Sequence, residues 1–121
     1  MAVKKPYLIA IDFDSTLCKG GWPDISKGEL IESTVNMMQA QLVGKPNTVF
    51  ILWTCRAGEK LEDAKKFIEQ HDLPIYYFNE QHPSVFEWMQ DAVDTRKVYA
   101  DQYWDDRAVT MPPLYIDEEE D

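Results

Sequence analysis

Short apolar runs and stretches of helical periodicity alternate along the chain. The runs lie at 7–11, 47–53, 74–78 and 98–104, and Pro74 opens the third of them. The first three runs are largely continuous in apolar residues, which is typical of strands that are covered on both faces. The pattern therefore predicts four strands, the last of them short, in a buried parallel sheet.

A capping box predicts where the first helix begins. Ser26 is followed three residues later by Glu29, so that each side chain is placed to bond a backbone amide of the other residue. Gly44 and Pro46 predict the end of this helix. One side of the helix carries apolar residues at helical spacing, namely Leu30, Ile31, Val35, Met38 and Leu42.

Two further helices are predicted between the remaining strands. One spans 60–71 and the other spans 84–94, where Ser84 and Glu87 form a second capping box after Pro83. The apolar residues of the first are Leu61, Ala64, Phe67 and Ile68. The residues of the second that are predicted to face inward are Val85, Phe86, Met89 and Val93.

Strands that alternate with helices of this length indicate the α/β class. We predict a three-layer, Rossmann-like arrangement in which helices flank a parallel sheet, with right-handed crossovers. A chain of 121 residues suffices for one domain with a core, and no repeat or low-complexity linker divides it. The predicted organisation is a single domain at 1–116 followed by an acidic tail at 117–121.

The negative charge of the chain limits the classes of partner that it is expected to bind. The formal net charge is −10 at pH 7, and the last five residues, DEEED, are all acidic. Binding along a nucleic-acid backbone depends on lysines and arginines that neutralise phosphates, so we expect no non-specific binding of that kind. A single terminal phosphate is still compatible with this charge. No apolar stretch approaches the length of a membrane span and no leader is recognisable, so we expect a cytoplasmic protein without a membrane partner.

The two cysteines, Cys18 and Cys55, are far apart in sequence and are expected to be free thiols. Together with His71 and His82 they supply four potential zinc ligands. No C-x-x-C or H-x-x-x-H spacing supports such a site, so zinc is disfavoured.

Polar residues gather where the predicted strands end. In an open parallel sheet the carboxyl ends of the strands share one edge, and ligands bind there. Several carboxylates so close together repel each other, and a hard divalent cation such as Mg²⁺, which prefers carboxylate oxygens, offsets that charge. The residues concerned, in strand order, are Asp12 and Asp14, Thr54 and Arg56, Asn79, and Asp105 and Asp106.

Each of these residues also has a purely structural interpretation. A lone aspartate after a strand is commonly a turn residue or a helix cap. Thr54 could be a helix N-cap, and Asp106 could pair with Arg107. Together, however, the structural interpretations require unrelated coincidences at one end of the same sheet, and a functional site explains all of the residues at once.

Three segments of the chain resemble motifs of one family. DFDSTL matches the D-x-D-x-T first motif of the haloacid dehalogenase-like hydrolases. ILWTCR is similar to their second motif, a hydrophobic strand that ends in Thr or Ser, and YWDDRA is similar to their fourth, a strand that ends in paired aspartates. The resemblance extends from Tyr7 to about Ala108. Because the chain leaves no room for an inserted cap domain, it resembles the small capless members of the family.

The resemblance implies a role for each carboxylate. Asp12 is expected to be the nucleophile that forms an aspartyl-phosphate, and Asp14 the acid and base that assists the leaving group and then water. Mg²⁺ is expected to be held by the Asp12 carboxylate, the backbone carbonyl of Asp14 and the Asp105 carboxylate. Asp106 is expected to be a further ligand, either direct or through a water molecule.

The resemblance also implies a phosphate-binding set. Thr54 and the backbone amides near Phe13 are expected to bind phosphoryl oxygens, with Cys55 and Arg56 as neighbouring contacts. The family's third motif supplies a lysine, for which we favour Lys97. Lys60, Lys65 and Arg56 are the alternatives, and the structural interpretation of Lys97 as a solvated cation at a strand edge also stays open.

The function that these motifs imply is Mg²⁺-dependent hydrolysis of a phosphomonoester. The expected partner is a phosphorylated substrate, either a small molecule such as a nucleotide or a phosphate at a nucleic-acid or protein end. One alternative is a module that keeps the fold and the metal site but turns over no substrate. A phospho-receiver domain fits less well, because its phosphorylated aspartate ends the third strand, where this chain reads YYFNE.

Overall fold

The computed structural model describes residues 5–92 and 95–109. The tail at 117–121 and the end of the predicted domain lie outside these residues. Two short 3₁₀ helices, Ile25–Lys27 and Pro83–Glu87, accompany the regular elements. In chain order those elements are β1 (Tyr7–Ile11), β2 (Cys18–Lys19), β3 (Glu29–Leu30), α1 (Glu32–Gly44), β4 (Thr48–Leu52), α2 (Gly58–Gln70), β5 (Ile75–Phe78) and β6 (Gln102–Trp104).

Four parallel strands form the main sheet in the order β5-β4-β1-β6, and β2 pairs with β3 in a small antiparallel hairpin. The central strand β1 pairs with β4 from Tyr7↔Thr48 to Ile11↔Leu52. The prediction of four strands in a parallel α/β sheet is confirmed; β4, β5 and β6 are each shorter than the apolar run that predicted them, and β6 most of all.

The residues of β1 divide between two cores, because successive side chains of a strand point to opposite faces. Ile9 and Ile11 belong to the core that α1 and α2 cover, where Met38 and Phe67 pack against them. Leu8 and Ala10 belong to the core on the other face of the sheet. The residues that cover that face include Val85, Ala92, Val98 and Ala100. The sheet is thus covered on both sides, as its continuous apolar runs predicted.

The first helix begins later than its capping box predicted. Asp24 accepts hydrogen bonds from both the amide and the hydroxyl of Ser26, which closes a 3₁₀ turn at Ile25–Lys27. Glu29 then pairs with Lys19 in the small hairpin. The prediction that Ser26 opens the helix is therefore wrong, because Ser26 is already bonded within a turn and α1 starts only at Glu32.

The second face of the sheet carries a 3₁₀ helix rather than the predicted α-helix over 84–94. His82 Nδ1 accepts a hydrogen bond from the amide of Ser84, and the 3₁₀ helix ends at Glu87. Val85 is buried as predicted, whereas Phe86 is exposed. Val93, which was predicted to face inward, lies outside the described residues.

Other predictions are also decided by the fold. The helix predicted over 60–71 is present as α2. Cys18 is a buried free thiol and Cys55 an exposed one, as expected. Within the described ranges no helix has both the length and the apolar character to cross a membrane.

Candidate metal centre

Backbone hydrogen bonds continue past the last paired residues of the strands and keep their carboxyl ends aligned. The Asp12 amide donates to the Trp104 carbonyl at 2.9 Å, and the Trp53 amide donates to the Ile11 carbonyl at 2.9 Å. The Asn79 amide donates to the carbonyl of Leu52, the last residue of β4. The polar residues that follow the strands are therefore presented along one edge, as the sequence predicted.

Three carboxylates meet at this edge although they come from opposite ends of the chain. Asp12 follows β1, and Asp105 and Asp106 follow β6. One oxygen from each of the three lies within 4.8 Å of the other two. Asp12 is half-buried, whereas the other two are exposed. Asp14, the fourth predicted metal ligand, is not a member of this cluster by its side chain.

The electrostatics of Asp12 fit a cation at this position. Partial burial raises the pKa of Asp12 from 3.8 to about 6. A hydrogen bond from the Phe13 amide opposes the rise, and repulsion from Asp105 and Asp106 adds to it. A hard divalent cation relieves both the repulsion and the cost of burial, and the all-carboxylate donor set suits Mg²⁺.

Thr16 joins the two segments that carry the cluster. Its hydroxyl accepts a hydrogen bond from the Asp106 amide at 3.1 Å and donates to the Asp106 carboxylate at 3.3 Å. Thr16 is buried whereas Asp106 is exposed, so these bonds are partly shielded from water. Thr16 was not among the predicted site residues, although its place as the last residue of D-x-D-x-T is a signal for such a role.

A tight turn after Asp14 brings Thr16 into this position. The Phe13 carbonyl accepts hydrogen bonds from the amides of Thr16, Leu17 and Cys18, and Ser15 adopts a φ of 68°. The turn is anchored in the core by the Phe13 side chain, which is fully buried and packs edge-on against Phe67.

Asp14 is held by Arg56. The Nε and Nη2 atoms of Arg56 each donate to a different oxygen of the Asp14 carboxylate, both at 2.8 Å. Such a bidentate pair fixes the orientation of the carboxylate and also balances its negative charge. The predicted acid and base is therefore aligned by a guanidinium that comes from the loop after β4.

The guanidinium of Arg56 makes further contacts besides this pair. Its carbon lies 4.8 Å from the ring centroid of Phe13 and 5.1 Å from that of Trp22. It also donates to the carbonyls of Gly21 and Lys60, and the residue is only 2% exposed. In this arrangement Arg56 positions Asp14, and a contact between Arg56 and a substrate phosphate would require the ion pair to open.

Asn79 organises the loop that carries Thr54. Its side-chain oxygen accepts from the Thr54 amide at 2.8 Å, and its side-chain nitrogen donates to the Arg56 carbonyl at 3.3 Å. The Thr54 hydroxyl accepts from the Arg56 amide, while Cys55 is exposed. The structural interpretation of Thr54 as a helix N-cap is wrong, because the N-cap of α2 is Ala57.

The candidate lysines for the third motif all have other contacts. The Lys97 ammonium lies 4.7 Å from the ring centroid of Tyr103, on an exposed segment before β6. Lys60 donates to the Pro23 carbonyl, and Lys65 pairs with Glu62. In the ion pairs of the described residues, Arg56 is the cation that meets a predicted site carboxylate. The role of Lys97 stays a prediction.

Fold and site together define the class of this protein: an α/β protein with a four-stranded parallel sheet and an acidic cluster at its carboxyl edge. No family model and no curated protein matches the chain. A solved structure of a conserved protein from Bacteroides thetaiotaomicron is similar to it, with 31% identity, a TM-score of 0.66, and coverage of 90% of this chain and 84% of that one. The chain belongs to the same family as that Bacteroides protein.

Proposed function

We propose that this protein is a Mg²⁺-dependent phosphomonoesterase of the haloacid dehalogenase-like type, acting through an aspartyl-phosphate on Asp12. The observation that carries the proposal is the meeting of Asp12, Asp105 and Asp106 within 4.8 Å at the carboxyl edge of a parallel sheet. The three motifs of the sequence resemblance coincide with the segments that follow β1, β4 and β6. Agreement between the motif order and the edge of the sheet supports this assignment over unrelated turn residues.

In the first step, an oxygen of Asp12 bonds to phosphorus while the bond between phosphorus and the ester oxygen breaks. The departing oxygen takes a proton from Asp14. In the second step a water molecule attacks the phosphorus and loses a proton to Asp14, which releases inorganic phosphate and restores Asp12. A bound Mg²⁺, held by Asp12 and Asp105 with Asp106 beside them, supplies neutralisation of the negative charge that the phosphoryl group and the carboxylates share.

The remaining site residues orient the reacting groups. Arg56 fixes the direction of the Asp14 carboxylate, and the pair must loosen while Asp14 carries the proton that it donates, because protonation removes the negative charge. The Thr54 hydroxyl and the amides after Asp12 are the proposed donors to phosphoryl oxygens. Lys97 is the proposed cation for the phosphate, which requires its ammonium to move from the Tyr103 ring.

A second function is favoured by the same ion pair. Because both oxygens of Asp14 are bonded to Arg56, the site also suits a regulatory module that binds the metal and a phosphate without rapid turnover. The two functions differ in whether a phosphate ester is consumed.

Hydrolysis of p-nitrophenyl phosphate in Mg²⁺, with and without EDTA, distinguishes them. We expect turnover that requires Mg²⁺ and that is lost in Asp12→Asn, whereas Asp91→Asn, an exposed aspartate outside the cluster, retains it. Absence of Mg²⁺-dependent hydrolysis with this ester and with a panel of nucleotides, sugar phosphates, phosphopeptides and 3′-phosphorylated oligonucleotides would leave the binding module as the better account.

A further inference from the structure

An open groove of about 500 Å³ adjoins the acidic cluster. Its lining includes Asp105 and Asp106, together with Met37 of α1 and Trp104 of β6, whose ring packs on the face of the sheet that α1 covers. Since Asp12 lies within 4.8 Å of those carboxylates, whatever is attached to a phosphoryl group at Asp12 can extend into this groove.

The walls of the groove are apolar although they face solvent. Met37 is 55% exposed, and Val109 is 77% exposed. Exposed apolar side chains that cluster beside a polar centre are typical of a ligand site. A methionine thioether also packs well against aromatic rings.

The aromatic wall is held in place before any ligand arrives. The Trp104 indole donates to Gln102 and packs against Phe50 with ring centroids 5.5 Å apart. Rigid walls reduce the ordering cost of binding a flat group.

The negative charge of the groove disfavours a second anionic group on the substrate. Among the described residues that line it, the charged side chains are the two aspartates, and the others are apolar or carry hydroxyls. Even with one divalent cation bound, three carboxylates and a phosphate leave the region negative. A further phosphate or carboxylate on the substrate would meet repulsion and find no lysine or arginine in this lining.

We infer that the substrate is a phosphomonoester with an uncharged aromatic leaving group that packs against Met37 and Trp104. This inference rests on the proposed function and narrows it. Substrates with two phosphates, and oligonucleotide ends with neighbouring phosphodiesters, are then poor substrates because their second anion enters the same groove.

The inference is tested by changing the charge of the substrate and the charge at position 37 of the protein. Phenyl phosphate and 4-carboxyphenyl phosphate differ by one anion at the far end of the ring. We expect kcat/KM to be about fivefold higher for phenyl phosphate, because a second negative charge near the aspartates weakens substrate binding by up to several-fold. Met37→Lys should reduce this preference about threefold, and Met37→Glu should increase it by a similar factor. Methionine, lysine and glutamate are all good helix formers, so the exposed position accepts them.

Val43→Lys is the matched control, because Val43 is 84% exposed on the same helix and is not among the residues of the groove. It should leave the preference unchanged. Equal kcat/KM for the two esters, or a preference that Met37→Lys and Val43→Lys change alike, would overturn the inference while phosphatase activity itself stands. Hydrolysis of neither ester by any variant would overturn the proposed function and the inference together.

The apolar contact has its own measurement. 2-Naphthyl phosphate presents a larger ring than phenyl phosphate, and we expect its KM to be about threefold lower, with the difference removed by Met37→Ser. Val43→Ser should preserve the difference. Equal KM values for the two esters, or a lower KM for the naphthyl ester that persists in Met37→Ser, would contradict binding in this groove.

Discussion

Asp12 illustrates, on the scale of a single residue, how a functional position opposes stability. Burial raises the pKa of Asp12 to about 6, so the folded protein without metal holds an ionised carboxylate at pH 7 at a cost. The neighbouring Asp105 and Asp106 add to this cost. Residues that make a site reactive commonly destabilise the fold in this way.

We therefore predict that Asp12→Asn stabilises the metal-free protein at pH 7. The shift from 3.8 to about 6 corresponds to a gain of about 1 kcal/mol once screening by solvent at this half-exposed residue is included. Urea unfolding in EDTA measures the change. Asp91→Asn is the control, and it should leave the free energy of unfolding unaltered.

The gain should depend on pH in a defined direction. Because the pKa of Asp12 is higher in the folded state than in the unfolded state, the unfolded chain ionises first, and stability falls as pH rises from 3.8 to about 6. The advantage of Asp12→Asn is thus full above pH 7 and small at pH 4. An advantage that persists at pH 4 would have a cause other than this charge.

The ion pair between Arg56 and Asp14 leads to a second prediction on the residue scale. Arg56→Met should lower the free energy of unfolding by about 3 kcal/mol, because it removes a buried guanidinium and leaves the Asp14 carboxylate without its partner. In the double variant with Asp14→Asn, part of this loss should be recovered. Purely additive losses in urea unfolding would mean that the two side chains are not coupled.

On the scale of elements, the loop from Thr54 to Arg56 depends on a residue that follows β5. Asn79 adopts a φ of 54°, a left-handed conformation that asparagine tolerates better than most residues. That conformation directs its side chain to the Thr54 amide and the Arg56 carbonyl. The phosphate-binding loop that we propose is therefore fixed by a neighbouring strand.

Asn79→Ala should cost about 2 kcal/mol, since it adds backbone strain to the loss of both hydrogen bonds. Asn79→Gly should cost about half as much, because glycine removes only the hydrogen bonds. Chemical denaturation of both variants gives the comparison. Asp72→Ala, at an exposed position with the same φ of 54°, measures the strain alone, and an equal loss at both positions would show that the side chain of Asn79 contributes nothing.

The sequence was sufficient for elements whose pattern alone decides their structure. The apolar runs of β1, β4 and β5 and the periodicity of α2 are strong local signals, and motif positions located the acidic edge. The prediction that Ser26 begins a helix was wrong, because the Ser26 amide and hydroxyl both donate to the Asp24 carboxylate within a turn. The Arg56–Asp14 pair was beyond sequence reasoning, because it depends on two loops that only the order of strands brings together.

On the scale of the whole molecule, the proposed metal centre would join a segment near the beginning of the chain to a segment near its end. Asp12 follows the central strand β1, while Asp105 and Asp106 follow the edge strand β6, and these strands are neighbours in the sheet. An ion that bridges them ties β6 to the rest of the fold. Binding of metal and global stability should accordingly be linked.

We predict that Mg²⁺ raises the free energy of unfolding by about 2.7 kcal/mol when its concentration is 100 times the dissociation constant. Asp105→Asn should abolish most of this gain at the same Mg²⁺ concentration by removing a ligand carboxylate. Thermal or urea unfolding with and without Mg²⁺ measures it, with Asp91→Asn as the variant that keeps the full gain. Equal stabilisation of Asp105→Asn and wild type would indicate a different binding position.

A crystal structure with Mg²⁺ and a phosphoryl mimic such as beryllium fluoride tests the central claim most directly. We predict one ion in contact with the carboxylates of Asp12 and Asp105, and the mimic bonded to the free oxygen of Asp12. An ion elsewhere on the protein, or a mimic that avoids Asp12, would contradict the account.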